Sequence, residues 1–227
     1  MKRMMKWFVI TALGGLFVSS GDAESASFGV RLSSTTWKER SLFGEEAQKA
    51  EGSMFGPTLL FRLGQDDPWG IGLDGAYGQL DNMDRADTDL SLVYNISPAF
   101  GVFADFKYLW YDYESDSADR GESISTTGIG LGLGVNVNAP LGSSGFFAFG
   151  SMRAVPMSME TDVPDADGTS LLWAYEGGFA YGTPLDLGAS DSSIYFSLGY
   201  RQQQLKGGEF DETTRQPFAE IGFKQEF

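Results

Sequence analysis

Apolar and polar residues alternate one by one along most of the chain. Trp69, Ile71, Leu73 and Tyr77 share one parity, and Gly70, Gly72, Asp74, Ala76 and Gly78 hold the other. The same pattern sets Leu90, Leu92, Tyr94 and Ile96 against Asp89, Ser91 and Asn95. It sets Ile129, Leu131, Leu133, Val135 and Val137 against Gly128, Gly130, Gly132, Gly134 and Asn136, and Ile194, Phe196, Leu198 and Tyr200 against Tyr195, Ser197, Gly199 and Arg201. A two-residue side-chain period is the signature of a β-strand, because successive side chains leave opposite faces of the sheet. The spacing predicts strands over 26–39, 53–64, 69–80, 88–97, 99–113, 124–138, 145–157, 169–182, 192–204 and 214–227. Phe146, Phe147 and Phe149 interrupt the rule in the seventh segment, where a β-bulge is expected.

The connections differ on the two sides. Gly64–Pro68, Ser97–Pro98 and Ala139–Gly145 are short and rich in turn residues, with Thr183–Ser190 somewhat longer. The others are acidic: Glu45, Glu46 and Glu51; Asp81, Asp84 and Asp87; Glu114, Asp116, Asp119 and Glu122; Glu160, Asp162, Asp165 and Asp167; Glu209, Asp211 and Glu212. Large aromatics fall near strand ends, with Trp37, Tyr77, Trp110, Trp173 and Tyr200 toward the acidic loops and Trp69, Phe100, Tyr181, Phe196 and Phe227 toward the short turns. Each strand is long enough to cross a hydrocarbon layer at a tilt, for which about 9–11 residues suffice. Short turns, long polar loops and two aromatic girdles together predict a closed up-and-down antiparallel transmembrane β-barrel of about ten strands, or eight or twelve if a segment is misread.

The one long apolar run lies at the N-terminus. Lys2, Arg3 and Lys6 precede an apolar stretch from Trp7 to Val18, followed by small residues with Gly21 and Ala23 at a small-x-small spacing. This is the layout of a secretory signal, expected to be cleaved after Ala23 and to leave a barrel domain over 24–227. The chain of 227 residues carries a formal net charge of −15. Removing three basic residues and one acid with the signal makes the mature chain more negative still, at −17. Such a charge repels phosphate backbones, so no nucleic-acid partner is expected. There is no cysteine, which excludes a disulfide scaffold and a lipidated N-terminal cysteine.

Charges on the strands must avoid lipid, where a charged side chain near the midplane costs roughly 2–4 kcal/mol. Arg62, Asp74, Asp105, Lys107, Glu176, Arg201, Glu220 and Lys224 occupy the polar parity and are expected to face the lumen. They would line a polar path or fill the interior as a salt-bridge network. Ten strands enclose little more than their own side chains. The glycines of the sixth strand leave room that Tyr111, Tyr195 or Phe218 could fill.

No histidine occurs anywhere in the chain. Serine and cysteine nucleophile sites usually depend on a histidine base, so no catalytic residues are expected. Gly128-Ile129-Gly130-Leu131-Gly132 lies inside an alternating strand and is no phosphate cradle before a helix. Asp165-Ala166-Asp167-Gly168 opens like a calcium loop but lacks the closing glutamate. No metal or other cofactor is expected.

The whole mature chain resembles the small outer-membrane β-barrels of Gram-negative bacteria. Its last strand carries the resemblance furthest: Phe227, Phe223, Ile221 and Ala219 alternate up to a terminal aromatic, with Gln225 departing from the pattern. The resemblance implies that Phe223 and Phe227 belong to a signal read by the barrel-assembly machinery. It also implies outer-membrane lipid and lipopolysaccharide as surroundings, with the acidic loops facing outside. A narrow passive pore for ions or small solutes is the leading functional expectation. A surface-interaction or structural barrel with a plugged lumen is the alternative.

Overall fold

The computed structural model describes residues 23–39, 48–63, 68–114, 123–162, 167–186, 191–208 and 210–226. Residues 1–22 of the expected export signal, the acidic residues Glu45, Glu46, Asp116, Asp119, Glu122, Asp165 and Glu209, and Phe227 lie outside the described residues. Ten strands follow in chain order: β1 (Ala23–Glu39), β2 (Gln48–Leu63), β3 (Trp69–Leu80), β4 (Met83–Ser97), β5 (Phe100–Glu114), β6 (Ser123–Pro140), β7 (Phe146–Thr161), β8 (Gly168–Asp186), β9 (Asp191–Gly207) and β10 (Phe210–Glu226). Each pairs antiparallel with its chain neighbours, and β1 pairs with β10, so the sheet closes into an up-and-down barrel. Closure leaves no strand edge unpaired, which a sheet in lipid requires.

A band of outward apolar side chains circles the barrel. It runs through Phe28, Val30 and Leu32 on β1, Leu90, Leu92 and Tyr94 on β4, Ile129, Leu131 and Leu133 on β6, and Phe196, Leu198 and Tyr200 on β9, all of them exposed. Four or five alternate positions per strand make about nine residues. At about 3.3 Å per residue and a tilt near 40°, that matches the roughly 25 Å apolar height of a membrane barrel.

The strands continue past this band on the loop side, and there the alternation changes phase. On β7, Met152, Ala154 and Pro156 face out within the band. Beyond it Ser158 and Glu160 face out, while Val155, Met157 and Met159 are buried inside. Lys38 is exposed and Trp37 buried at the top of β1; Gln79 is exposed and Leu80 buried at the top of β3. Below the switch the barrel is polar inside and apolar outside. Above it, in what we call the collar, the barrel has an apolar core and a polar surface, as water demands.

Three expectations need correction. Asp81, Asp84 and Asp87 do not belong to one long loop: β3 and β4 meet in a turn at Asp81 and Asn82, and Asp81 takes a left-handed φ of 39°. Asp84 and Asp87 are therefore strand residues, Asp87 buried inside. Trp37 is no girdle residue, since it lies in the collar core at 1% exposure. The seventh strand has no bulge in its pairing with β6 or β8. Phe147 and Phe149 simply face the lumen, while Phe146 packs outside against Tyr181 at 4.6 Å between ring centroids. The register shifts fall instead at Ala23/Ser25 and Asn95/Ser97.

Candidate functional site in the barrel lumen

The interior is layered. At the turn-side end, small residues such as Ser27, Ser193 and Gly182 leave a cavity of about 340 Å³, bordered by Tyr195, Glu220 and Lys224. Deeper lies a second, polar cavity of about 240 Å³, lined among others by Arg31, Ser91, Asn136, Ser151 and Arg153. Both touch Thr58. Together they form a vestibule entered from the turn side.

A connected network of charges closes the vestibule. Arg31 of β1 reaches Asp74 of β3 at 2.7 Å, Glu176 of β8 at 3.1 Å and Glu220 of β10 at 2.9 Å. Arg201 of β9 also binds Asp74, and meets Glu176 at 2.6 Å and Asp89 of β4 at 3.8 Å. Arg153 of β7 bridges Asp89 at 2.7 Å and Asp105 of β5 at 2.9 Å. Lys107 of β5 pairs with Asp87, and lies 2.9 Å from Asp89. Arg85 of β4 ends the chain, 3.5 Å from Asp87. Eight strands thus send charge to one place. The β2 strand joins through Thr58, whose hydroxyl donates to Glu220 at 2.8 Å. The β6 strand sends no charge into it.

What β6 provides is space. A Cβ on Gly132 would lie 2.3 Å from the Ala154 carbonyl oxygen; one on Gly130 would lie 2.8 Å from the Met157 sulfur. A Cβ on Gly128 would meet the Met159 sulfur at 2.6 Å, and one on Gly134 the Phe103 ring at 2.3 Å. The gap over β6 is therefore filled by Met157, Met159, Val155 and Phe103. Tyr195 and Phe218 fill glycine gaps elsewhere, at Gly222 and Gly199. Phe218 also supports the guanidinium of Arg31, 4.2 Å above its ring.

Above the charges sits the collar core. Met54, Leu80 and Val155 have no exposed surface, and Met83, Leu109, Met157, Met159 and Leu172 are each at 1%. Trp37, Tyr111 and Tyr113 pack together at 5.8–6.3 Å between centroids. The indole of Trp37 donates to Glu212 at 2.9 Å, and the Tyr111 hydroxyl donates to the same carboxylate. Glu39, the last residue of β1, stands directly across from Glu212 in the β1–β10 register. It lies seven residues beyond the outward Leu32, outside the membrane band. Burial, with the charge of Glu212 beside it, pushes its carboxyl up to about 8.

All eight of the charges expected at the lumen stand on inward-facing positions, but they are not equivalent. Asp74, Asp105, Lys107, Glu176, Arg201 and Glu220 enter the network. Arg62 and Lys224 sit at the turn-side rim, where Arg62 is exposed and Lys224 pairs with Glu226. Arg31, Arg85, Asp87, Asp89 and Arg153 complete the network and were not singled out from the sequence. Parity alone marks Arg31 (between Val30 and Leu32) and Arg153 (in register with Phe147 and Phe149). Arg85 and Asp87 carried no such mark, because their strand ends looked like loop. Phe223 faces outward, paired with Phe28 and Ile194. Among the described residues no group of acids could hold a metal ion.

A closed ten-stranded barrel with a polar mid-lumen and an apolar outer band has the fold of the Gram-negative outer-membrane β-barrels. No protein-family model matches the chain, and no curated protein matches it. Among solved structures, the outer membrane protease OmpT from Escherichia coli is 10% identical, with a TM-score of 0.52 over 92% of this chain and 98% of that one. Neisserial surface protein A is 14% identical, with a TM-score of 0.42 over 89% and 99%. The attachment invasion locus protein Ail of Yersinia pestis is 10% identical, with a TM-score of 0.37 over 88% and 98%. At these identities the likeness to OmpT concerns the fold.

Proposed function

We propose that this chain is exported by its N-terminal signal and acts in the outer membrane as a sealed, non-enzymatic barrel that displays its acidic loops to the outside. Its surroundings are outer-membrane lipid and lipopolysaccharide, and the barrel-assembly machinery would read the strand that ends in Phe223 and Phe227. The observation that carries the sealed reading is the filled upper lumen. Met54, Leu80, Val155, Met157 and Met159 are fully buried across the barrel, directly above a charge network that already spans it. A solute entering the vestibule from the turn side meets both. A rate-conferring site is not part of this reading, because the mid-lumen carboxylates are tied to cations and the chain has no histidine.

Single-channel recording of the refolded mature chain in a planar bilayer tests the proposal. With insertion confirmed by protease protection, the expected record is silent. Discrete conductance steps whose ion selectivity shifts on Lys107→Gln or Arg201→Gln would overturn the sealed reading and establish the passive pore.

A further inference from the structure

The turn-side lumen shows apolar side chains to the vestibule, where a water-filled interior calls for polar ones. Leu60 of β2 stands opposite Ser27 of β1 and Gly72 of β3, both inward positions, yet it is 41% exposed. Its neighbours leave it bare, since side chains at Gly70 and Gly72 would begin 3.8 and 3.9 Å from its Cδ1. Phe147 of β7 and Tyr195 of β9 line the same outer cavity, and the small residues Gly182 and Ser193 keep it open. Apolar surface inside the barrel has no lipid to cover it, so a ligand that buries it is stabilised by doing so.

The charged part of the wall is balanced. In the inner cavity Arg31, Arg153 and Arg201 are matched by Asp74, Asp89 and Glu176, and in the outer cavity Lys224 is matched by Glu220. Each inner guanidinium already holds at least two carboxylates. A charged ligand would have to draw one member out of these pairs and leave its partner buried without a counter-charge. An uncharged ligand leaves them intact. Ser151 and Asn136 also line the inner cavity. They stand directly opposite each other in the β6–β7 register, outside the ion pairs. A hydroxyl and an amide suit a ligand group that donates and accepts hydrogen bonds without carrying charge.

Spacing gives the ligand its shape. Phe147 and Ser151 both face inward on β7, separated by about 13 Å of extended strand. The two cavities, of about 340 and 240 Å³, both touch Thr58. Joined there, they reach the roughly 300–1,000 Å³ of small-molecule pockets. An elongated molecule with one polar end fits this sequence of surfaces, polar at the inner end and apolar toward the mouth.

From this arrangement we infer that the vestibule is a blind binding pocket for an uncharged, medium-chain amphiphile, an aliphatic alcohol or amide, that enters from the turn side. Its polar end lies at Ser151 and Asn136, and its chain runs past Tyr195 to Leu60 and Phe147. The blind end rests on the sealed reading above, and the periplasmic mouth on the proposed orientation. The network that closes the vestibule also selects the ligand, because its charges are spent on one another and only neutral groups are left to bind.

The test uses the refolded mature chain in phospholipid vesicles, with octanol carrying a diazirine on its chain as the probe. After illumination, the modified residues are located by mass spectrometry. Labelling of Leu60, Phe147 and Tyr195 should saturate with dose, while labelling of the lipid-facing Phe196 and Leu198 rises in proportion to it. Plain octanol should protect the inward residues, and octanoate or octylammonium at equal concentration should protect at least tenfold less well. Ser193→Trp fills the outer cavity and should cut inward labelling at least tenfold without changing the lipid-facing signal. The double variant S151A/N136L should cost octanol at least fivefold in protection and octane nothing. Folding of each variant is read from the mobility difference of boiled and unboiled barrel on gels. Should Ser193→Trp fail that check, Gly182→Leu fills the same cavity from β8. Inward labelling that never saturates, equal protection by either charged analogue, or full inward labelling of a folded, filled variant would overturn the inference. Channel currents would instead overturn the sealed reading, on which the labelling pattern does not depend, so the two failures are told apart.

Discussion

At the scale of single residues, the collar and the mid-lumen handle charge in opposite ways. The mid-lumen gives each carboxylate a cation, and Asp105 is bridged by Arg153 alone among the described residues, so that removing Arg153 would leave it buried without a cation, at a cost of several kcal/mol. At the top of the collar Glu39 and Glu212 face each other with no cation bridging them among the described residues. Their donors are Trp37 and Tyr111, which both serve Glu212. Glu39 therefore keeps its proton, with its carboxyl raised to about 8 from an ordinary value near 4.5. A folded value above the unfolded one means that the folded state holds the proton more tightly. The associated stability is fully present below about pH 4.5 and is lost as the pH climbs through about 8. Urea titrations of the refolded barrel from pH 5 to 9 should show stability falling by a few kcal/mol across this window. Glu39→Gln should flatten that dependence and make the barrel the more stable of the two at pH 9. A pH dependence unchanged by this substitution would mean that the carboxyl ionises without cost, and that the collar admits water to it.

At the scale of strands, the alternation reads well wherever lipid lies on one side and a polar lumen on the other. That is why Asp74, Glu176 and Arg201 could be placed inward from parity alone, and why β3 is found at the expected 69–80. The reading fails where the environment changes along one strand. β4 begins at Met83 rather than 88 and β2 at Gln48 rather than 53, because their collar ends put acids and hydroxyls on the outer face. A rule that expects apolar residues outside sees a loop there. The apolar residues are present but have moved to the other parity, as Met83 and Met54 did. The bulge expected in β7 has the same origin in reverse: Phe147 and Phe149 are large apolar residues that face inward within the band. The glycine series of β6 is the element-scale counterpart to this crowding. Gly132→Ala would set its Cβ against backbone, 2.3 Å from Ala154 O and 2.7 Å from Val155 Cα, which cannot swing away as a side chain does. It should lower stability by about 1–3 kcal/mol, the usual cost of overpacking. Gly182→Ala is the matched control, since nothing lies within 4 Å of its added carbon, and it should stay within about 0.5 kcal/mol of wild type. Equal losses in the two variants, measured by the same urea unfolding, would show that the β6 glycines serve backbone freedom rather than the packing of Val155 and its neighbours.

At the scale of the whole molecule, the barrel is two environments stacked along one axis. The turn-side half is an inside-out protein with an open vestibule, and the loop-side half is an ordinary protein with a largely apolar core that also buries Glu39, Arg85 and Glu212. Sequence alone could suggest a plugged or an open lumen, but the decision depends on which residues of distant strands are gathered into one core, as Met54 of β2 and Met157 of β7 are in the collar. The separation of the two halves can be probed directly, because the chain has no cysteine and any introduced thiol is unique. Ser193 lines the vestibule, and Lys206 is exposed on the outer face of the collar. In intact cells, a membrane-impermeant maleimide should label Lys206→Cys at once. Ser193→Cys should stay unlabelled until the outer membrane is permeabilised, and then react, since its cavity opens toward the turn side. A third thiol at Met157 should resist labelling from both sides while the barrel is folded. Prompt labelling of Ser193→Cys in intact cells would require a path through the collar core and the charge network, and the sealed reading would fall with it. Labelling of Ser193→Cys together with protection of Lys206→Cys would point to the inverted orientation, with the collar on the periplasmic side.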